Sequence, residues 1–106
     1  MQKTLENKTE LRVSNINFKK VAHLFKLLGD PTRLKIALAC VDGPISVGNI
    51  ANLVGRESSA VSGHLSHLKN AGILHDERKG KERHYSYSNQ RFGKYLSDMS
   101  QKYSNM

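Results

Sequence analysis

Apolar positions recur at helical spacing along most of the 106-residue chain. Residues 18–28 and 61–68 each bring their apolar side chains to one face at 3.6 residues per turn, and residues 34–41 and 47–54 are apolar segments of helical length between helix-breaking residues. A similar stripe follows over about 90–103. The pattern therefore predicts five helices.

Capping and helix-breaking residues lie between these stripes. Asp30 followed by Pro31 is typical of a helix start, because a carboxylate accepts from free N–H groups and proline suits the first turn. Ser46 caps the next helix in the same way, and Gly55 ends it where the backbone favours a positive φ. A further helix is expected to begin near Glu57 or Ser58.

The period of the pattern then changes from 3.6 to 2. Residues 73–79 and 82–88 are predicted strands, and the two-residue Gly-Lys turn between them predicts a β-hairpin. This register places Glu77 opposite His84, a favourable pair for the two side chains.

The predicted element order is α-α-α-α-β-β-α, a mainly α fold with one small β-hairpin. Residues 1–16 are polar, and we predict a flexible N-terminal arm with a short helical turn there. Residues 17–106 then form one domain, because a chain of this length leaves little room for a second. A domain of this size has a modest core, so a partner subunit would help to bury apolar surface.

The charge of the chain points to a class of partner. Seventeen Lys and Arg against nine Asp and Glu give a net charge of +8 and a pI near 9.8. Such a protein favours polyanions, most simply nucleic acid, although membranes and ribosomes also attract basic surfaces. No apolar run approaches the ~20 residues of a membrane span, and no signal-peptide stretch is found. We therefore expect a cytoplasmic protein with no membrane partner.

The third and fourth predicted helices and the hairpin together form a winged helix-turn-helix. Small, hydrogen-bonding side chains at the start of the fourth helix suit base edges in the major groove, and the hairpin's cations suit phosphates or the minor groove. The predicted DNA-binding residues at the recognition helix are Arg56, Ser58, Ser59, Ser62, Gly63, His64 and His67. Those on the wing are Arg78, Lys79, Lys81 and Arg83.

Three stretches resemble a known family. Leu27–Ile36 is similar to the opening signature of ArsR/SmtB-type bacterial repressors, Ser59–Leu74 to their recognition helix, and Arg78–Tyr87 to their wing. The resemblance spans about residues 17–103. It implies a homodimeric repressor that binds a palindromic operator in double-stranded DNA and leaves it when an inducer binds. The residues implied at the interface, on the first and last predicted helices, are Phe18, Val21, Phe25, Phe92, Tyr95, Leu96, Met99 and Tyr103.

The resemblance also implies positions for a metal inducer. The segment 46–50, where some members carry cysteines, has no thiol, and the last helix offers Asp98 but no histidine. Redox sensing needs two cysteines, whereas Cys40 is alone and lies in an apolar helix that is typical of inert core. We therefore predict no cofactor and none of the usual metal sites, and the inducer is left open. An atypical site based on His23 or on the wing histidines is the alternative.

Two other function classes compete with DNA binding. A winged helix that binds protein or RNA would be expected to expose acidic or bulky apolar side chains on its recognition helix, and residues 58–64 carry mainly serine, glycine and histidine. An enzyme would need a nucleophile with its base, a phosphate loop or paired carboxylates, and the sequence indicates none of these. We therefore predict a sequence-specific DNA-binding regulator that is not an enzyme.

Overall fold

The structure is a computed structural model that describes residues 2–105, with side chains described from residue 7 onward. Six helices and three short strands make up this part of the chain. In order they are α1 (Gln2–Ser14), α2 (Phe18–Leu28), α3 (Pro31–Ala39), β1 (Ile45–Ser46), α4 (Val47–Val54), α5 (Ser58–Asn70), β2 (Leu74–Lys79), β3 (Glu82–Tyr87) and α6 (Gln90–Ser104).

The predicted caps define the helix ends. Asp30 accepts a hydrogen bond from the backbone N of Arg33 at 2.8 Å, and Ser46 accepts one from the backbone N of Asn49 at 3.2 Å. Gly55 ends α4 in the left-handed region, with φ 68°. These three positions confirm the boundaries predicted from the sequence, because capping depends on residues a few positions apart.

Two elements differ from the prediction. The N-terminal segment is a helix of 13 residues rather than a short turn, and its described side chains are all exposed. It has no apolar stripe, so the pattern of the sequence could not reveal it. The two-residue strand β1 is too short to show a period of 2. The flexibility of residues 1–16 stays a prediction, and Met1 lies outside the described residues.

The three strands form one antiparallel sheet in the order β1-β3-β2. Glu77 pairs with His84, which confirms the predicted register of the hairpin. Ile45 of β1 pairs with Tyr85 of β3, so the start of α4 is tied to the wing.

The core lies between α3, α4, α5 and the sheet. Its largest fully buried side chains are Ile36, Cys40, Ile50, Val61, Leu65, Leu68 and Leu74. Helix α6 packs on this core through Leu96, which is 5% exposed, and through Phe92, whose ring centroid lies 6.2 Å from that of Tyr87. Leu96 and Phe92 were predicted at a subunit interface. Leu96 is instead part of the protomer's own core, and Phe92 is half-buried against it.

Candidate nucleic-acid interface

Helices α4 and α5 form the helix-turn-helix. Because Gly55 adopts a positive φ, its backbone N and that of Arg56 both donate to the carbonyl of Ala51, which turns the chain within three residues. Val61 and Leu65 are fully buried on the core side of α5. The opposite side of α5 is therefore presented to solvent.

The exposed side of the recognition helix α5 carries small groups. Ser58, Ser59 and Ser62 are exposed, and a Cβ added at Gly63 would meet nothing within 4 Å. His67 is also exposed, near the C-terminal end of the helix. A surface of this kind approaches base edges closely and offers hydroxyl groups as donors and acceptors.

The recognition helix and the wing share a cleft of about 470 Å³. Ser58, Ser62 and Ser66 line it from the helix, and Lys81 and Arg83 line it from the wing. The structure therefore brings two of the predicted groups of DNA-binding residues together. Ser66 was missing from the sequence prediction, although its spacing of four from Ser62 indicated the same helix face.

His64 has a position that differs from the other predicted contacts. It is half-buried, and its Nδ1 accepts a hydrogen bond of 3.3 Å from Nε of Arg33. Arg33 also donates to the carbonyl of Leu27, at 3.3 Å. Because Nδ1 accepts, the proton of the neutral ring is assigned to Nε2. His64 is thus anchored to α3, and the sequence prediction missed Arg33 as its partner.

The cations around the site are not equally free. Among residues 7–105, Lys79 and Lys81 are exposed and take part in no salt bridge. Arg78 donates from Nε to the carbonyl of Gly80 at 3.0 Å, which stabilises the turn between β2 and β3. Arg56 donates to the hydroxyl of Thr32 at 3.2 Å.

Arg83 is held by a carboxylate. Its Nη1 lies 2.7 Å from Oδ2 of Asp76, and Nζ of Lys69 lies 2.8 Å from Oδ1. The hydrogen bond from Lys69, followed by that from Arg83, lowers the pKa of the Asp76 carboxyl from its usual value. Arg83, predicted as a DNA contact of the wing, is paired with Asp76 in the structure, and its side chain is 53% exposed.

A separate apolar surface lies on α2 and α6. Phe25, Tyr95 and Met99 are exposed and line a hollow of about 330 Å³ whose other walls include Leu24 and Leu28. The predicted interface residues that stay exposed on these helices are Phe18, Val21, Phe25, Tyr95, Met99 and Tyr103. Exposed apolar groups in such a contiguous arrangement are typical of an interaction surface.

Comparison with known proteins assigns the family. The family model described as "Bacterial regulatory protein, arsR family" matches residues 30–76. The chain is 36% identical over 81 residues to the cadmium resistance transcriptional regulatory protein CadC homolog of Staphylococcus aureus, covering 76% of this chain and 67% of that protein. The chain belongs to the ArsR family. It is accordingly a DNA-binding transcriptional regulator.

Other relatives agree with this assignment. Over 64 residues this ArsR-family chain is 38% identical to the transcriptional repressor SdpR of Bacillus subtilis. The match covers 60% of this chain and 71% of SdpR. The crystal structure of NolR from Sinorhizobium fredii matches with a TM-score of 0.69 and 32% identity over 80% of this chain and 85% of NolR. A homodimeric winged helix-turn-helix DNA-binding domain from Mycobacterium bovis shares the fold, with a TM-score of 0.72 and 24% identity over 83% and 81% of the two chains.

Possible sensor groups of this ArsR-family protein are few. Cys40 is buried, and burial raises the pKa of its thiol to about 12, as expected for a cysteine of the core. Within residues 7–105, no three His, Cys, Asp or Glu side chains are grouped so as to hold a metal ion. No helix in the same part of the chain has the length and apolar character needed to span a membrane.

Proposed function

We propose that the protein is a homodimeric repressor of the cytoplasm, which binds a palindromic operator in double-stranded DNA and is released by an inducer. The observation that carries this proposal is the cleft that the serines of α5 share with Lys81 of the wing, an exposed cation in no salt bridge among residues 7–105. Hydroxyls on a helix that fits the major groove suit base edges, and cations beside it suit the phosphates that flank the groove.

A salt titration with matched variants tests DNA binding. We expect the protein to bind a fragment of its own promoter more tightly than random DNA of equal length, with an affinity that falls steeply as salt rises. Ser59→Ala and Ser62→Ala should lower affinity for the promoter more than for random DNA. Lys79→Ala and Lys81→Ala should lower both, and each should reduce the salt slope by about 1. Equal affinity for the two DNAs would refute sequence-specific binding, and an affinity that does not depend on salt would refute binding through phosphate contacts.

The exposed apolar surface on α2 and α6 supports the dimer. Burying large apolar side chains stabilises association by about 25 cal/mol for each Å² removed from water. Phe25 is 65% exposed on α2 and Tyr95 is 71% exposed on α6 in the protomer. A two-fold pairing would place two recognition helices on one side of the dimer, which suits two half-sites of a palindrome.

Sedimentation of three variants tests the dimer. We expect the wild type to sediment as a dimer at micromolar concentration, and Phe25→Glu to sediment as a monomer. Leu53→Glu is the matched control, since Leu53 is 67% exposed on α4, outside α2 and α6. It should remain dimeric. A monomeric wild type, or a dimer that Phe25→Glu leaves intact, would contradict the proposed interface.

We further propose that the inducer is not a metal ion bound at the usual family positions. Residues 46–50 contain no thiol, and α6 provides Asp98 as its one carboxylate and no histidine. Isothermal titration with zinc and with cadmium at neutral pH should show no strong site. One tight site per protomer would refute this part of the proposal.

A further inference from the structure

One carboxylate joins the recognition helix to both strands of the wing. Asp76 lies on β2, and its two oxygens bind Lys69 in the last turn of α5 and Arg83 on β3. The Asp76 side chain is 6% exposed, whereas those of Lys69 and Arg83 are 48% and 53% exposed. The acid is therefore inside the contact, and its two cations lie at the rim.

We propose that Asp76 is a positioning residue that holds the wing at a fixed angle to the recognition helix and withholds Lys69 and Arg83 from indiscriminate phosphate binding. The inference rests on the proposed function, because it assumes that the wing and α5 contact the same DNA. It assigns to Asp76 a role in specificity although the residue itself is acidic and largely buried.

The outer part of the wing is exposed, whereas its base is held by Tyr85 and Tyr87 in the core and by the pairing of β1 with β3. From Glu77 to Arg83 every side chain of the hairpin is exposed. Within the described residues, the pair of Asp76 with Lys69 is the salt bridge that reaches the hairpin from α5, and the pair with Arg83 joins the two strands of the hairpin. Without these ion pairs, the wing rotates more easily against α5. Fewer protein–DNA complexes then keep α5 on the base edges and the wing on the phosphates at the same time.

The two arginines of the hairpin also need a negative charge beside them. Arg78 and Arg83 are direct cross-strand partners, and like charges in that arrangement repel one another. Asp76 offsets this repulsion and satisfies one end of the Arg83 guanidinium. Once the carboxylate is neutral, Lys69 and Arg83 are available for phosphates of any sequence.

Asp76→Asn should therefore move two affinities in opposite directions. Affinity for random DNA should rise, with a salt slope steeper by about 1 to 2, because up to two cations are freed for phosphates. Affinity for the promoter fragment should fall, so that the ratio of the two drops by about tenfold. A purely structural loss would lower both affinities together.

Matched variants isolate the positioning role. Glu77→Gln removes the same charge from the neighbouring residue, which is exposed and has no salt bridge among the described side chains. It should raise both affinities slightly and leave their ratio unchanged. Asp76→Glu keeps the charge and should restore most of the ratio. Lys69→Gln breaks one pair at a half-exposed site, so it should lower promoter affinity without raising affinity for random DNA.

Fluorescence anisotropy with both DNAs at several salt concentrations gives all of these quantities, and circular dichroism with urea unfolding verifies that each variant folds. The inference is overturned if Asp76→Asn raises both affinities slightly and leaves their ratio unchanged, as is expected of Glu77→Gln. If Asp76→Asn does not fold, an unchanged ratio in Lys69→Gln would overturn it instead. A wild type that does not prefer its promoter would contradict the proposed function itself, which is a separate result.

Discussion

Replacing Gly93 with alanine tests how α6 is attached to the sheet. An added Cβ would lie 2.8 Å from Cδ2 of Tyr87 and 3.0 Å from its Cγ and Cε2. The Tyr87 ring is buried, and its hydroxyl donates to the carbonyl of Ala37. The ring is therefore held at its far end and has little room to move away from the new methyl group.

The size of the effect follows from two opposing contributions. Carbon atoms prefer separations of about 3.5–4.0 Å, so the overlap is roughly 0.7 Å or more, and overpacking of this kind costs about 1–3 kcal/mol. Alanine is favoured over glycine inside a helix by about 0.5–1 kcal/mol. We expect Gly93→Ala to lower the free energy of unfolding by about 1–2 kcal/mol, because the steric cost exceeds the gain in helix propensity.

Gly63→Ala is the matched control for helix propensity. Gly63 lies inside α5, and a Cβ there would meet nothing within 4 Å. The same substitution should therefore raise the free energy of unfolding by about 0.5–1 kcal/mol. The two glycine variants are thus expected to differ from wild type in opposite directions.

Urea unfolding followed by circular dichroism measures both variants. All samples need the same protomer concentration, because the apparent stability of a dimer depends on it. Thermal unfolding should shift by about 4–8 °C for each kcal/mol in a domain of this size. A Gly93→Ala protein as stable as wild type would refute the reasoning, since the ring would then have moved without cost.

Three further predictions concern buried or capping groups. Cys40, with a pKa raised to about 12, should react with iodoacetamide at pH 8 only as fast as the protein unfolds, and rapid labelling of the native protein would contradict its burial. The backbone hydrogen bond from Arg33 lowers the pKa of the Asp30 carboxyl in the folded protein. The ionised carboxylate therefore stabilises the fold fully at a pH above the pKa of the unfolded chain, which is near 4. This stabilisation is lost as the pH falls through the lower pKa of the folded protein. Asp30→Asn keeps a capping oxygen but does not titrate, and urea unfolding between about pH 2 and 5 should show a shallower acid loss than in wild type. Arg33→Gln breaks the anchor of His64 and should lower affinity for the promoter about tenfold in anisotropy titrations, with a smaller change for random DNA.

The features that the sequence predicts well are those that short spacings encode. Asp30, Ser46 and Gly55 act on backbone groups a few residues away, so their chemistry is visible in the linear order. The hairpin register is equally local, since a two-residue turn decides which residues pair. Helix α1 escapes prediction for the opposite reason, because its polar sequence shows no apolar face.

The candidate site depends on side-chain contacts that the linear order of the sequence does not reveal. Arg33 and His64 are 31 positions apart, and Arg83 meets Asp76 across the hairpin. The sequence shows their types and charges, and on that basis Arg83 was predicted as a DNA contact, whereas Arg33 and Lys69 were not. It does not show that a carboxylate lies between two of them. Leu96 illustrates the same limit, since its spacing matched the exposed stripe of α6 while its side chain enters the core.

The packing of α6 against β3 links the exposed side of α6 to the strand of the wing. Tyr95 and Met99 are exposed on the side of α6 that the proposed dimer would use, while Gly93 rests directly on Tyr87 of β3. β3 also carries Arg83, so the wing and α6 share one strand. Because the closest approach at Gly93 leaves no space between helix and ring, a displacement of α6 toward the sheet must move Tyr87. The contact that Gly93→Ala would overpack therefore also connects α6 directly to the strand that carries Arg83.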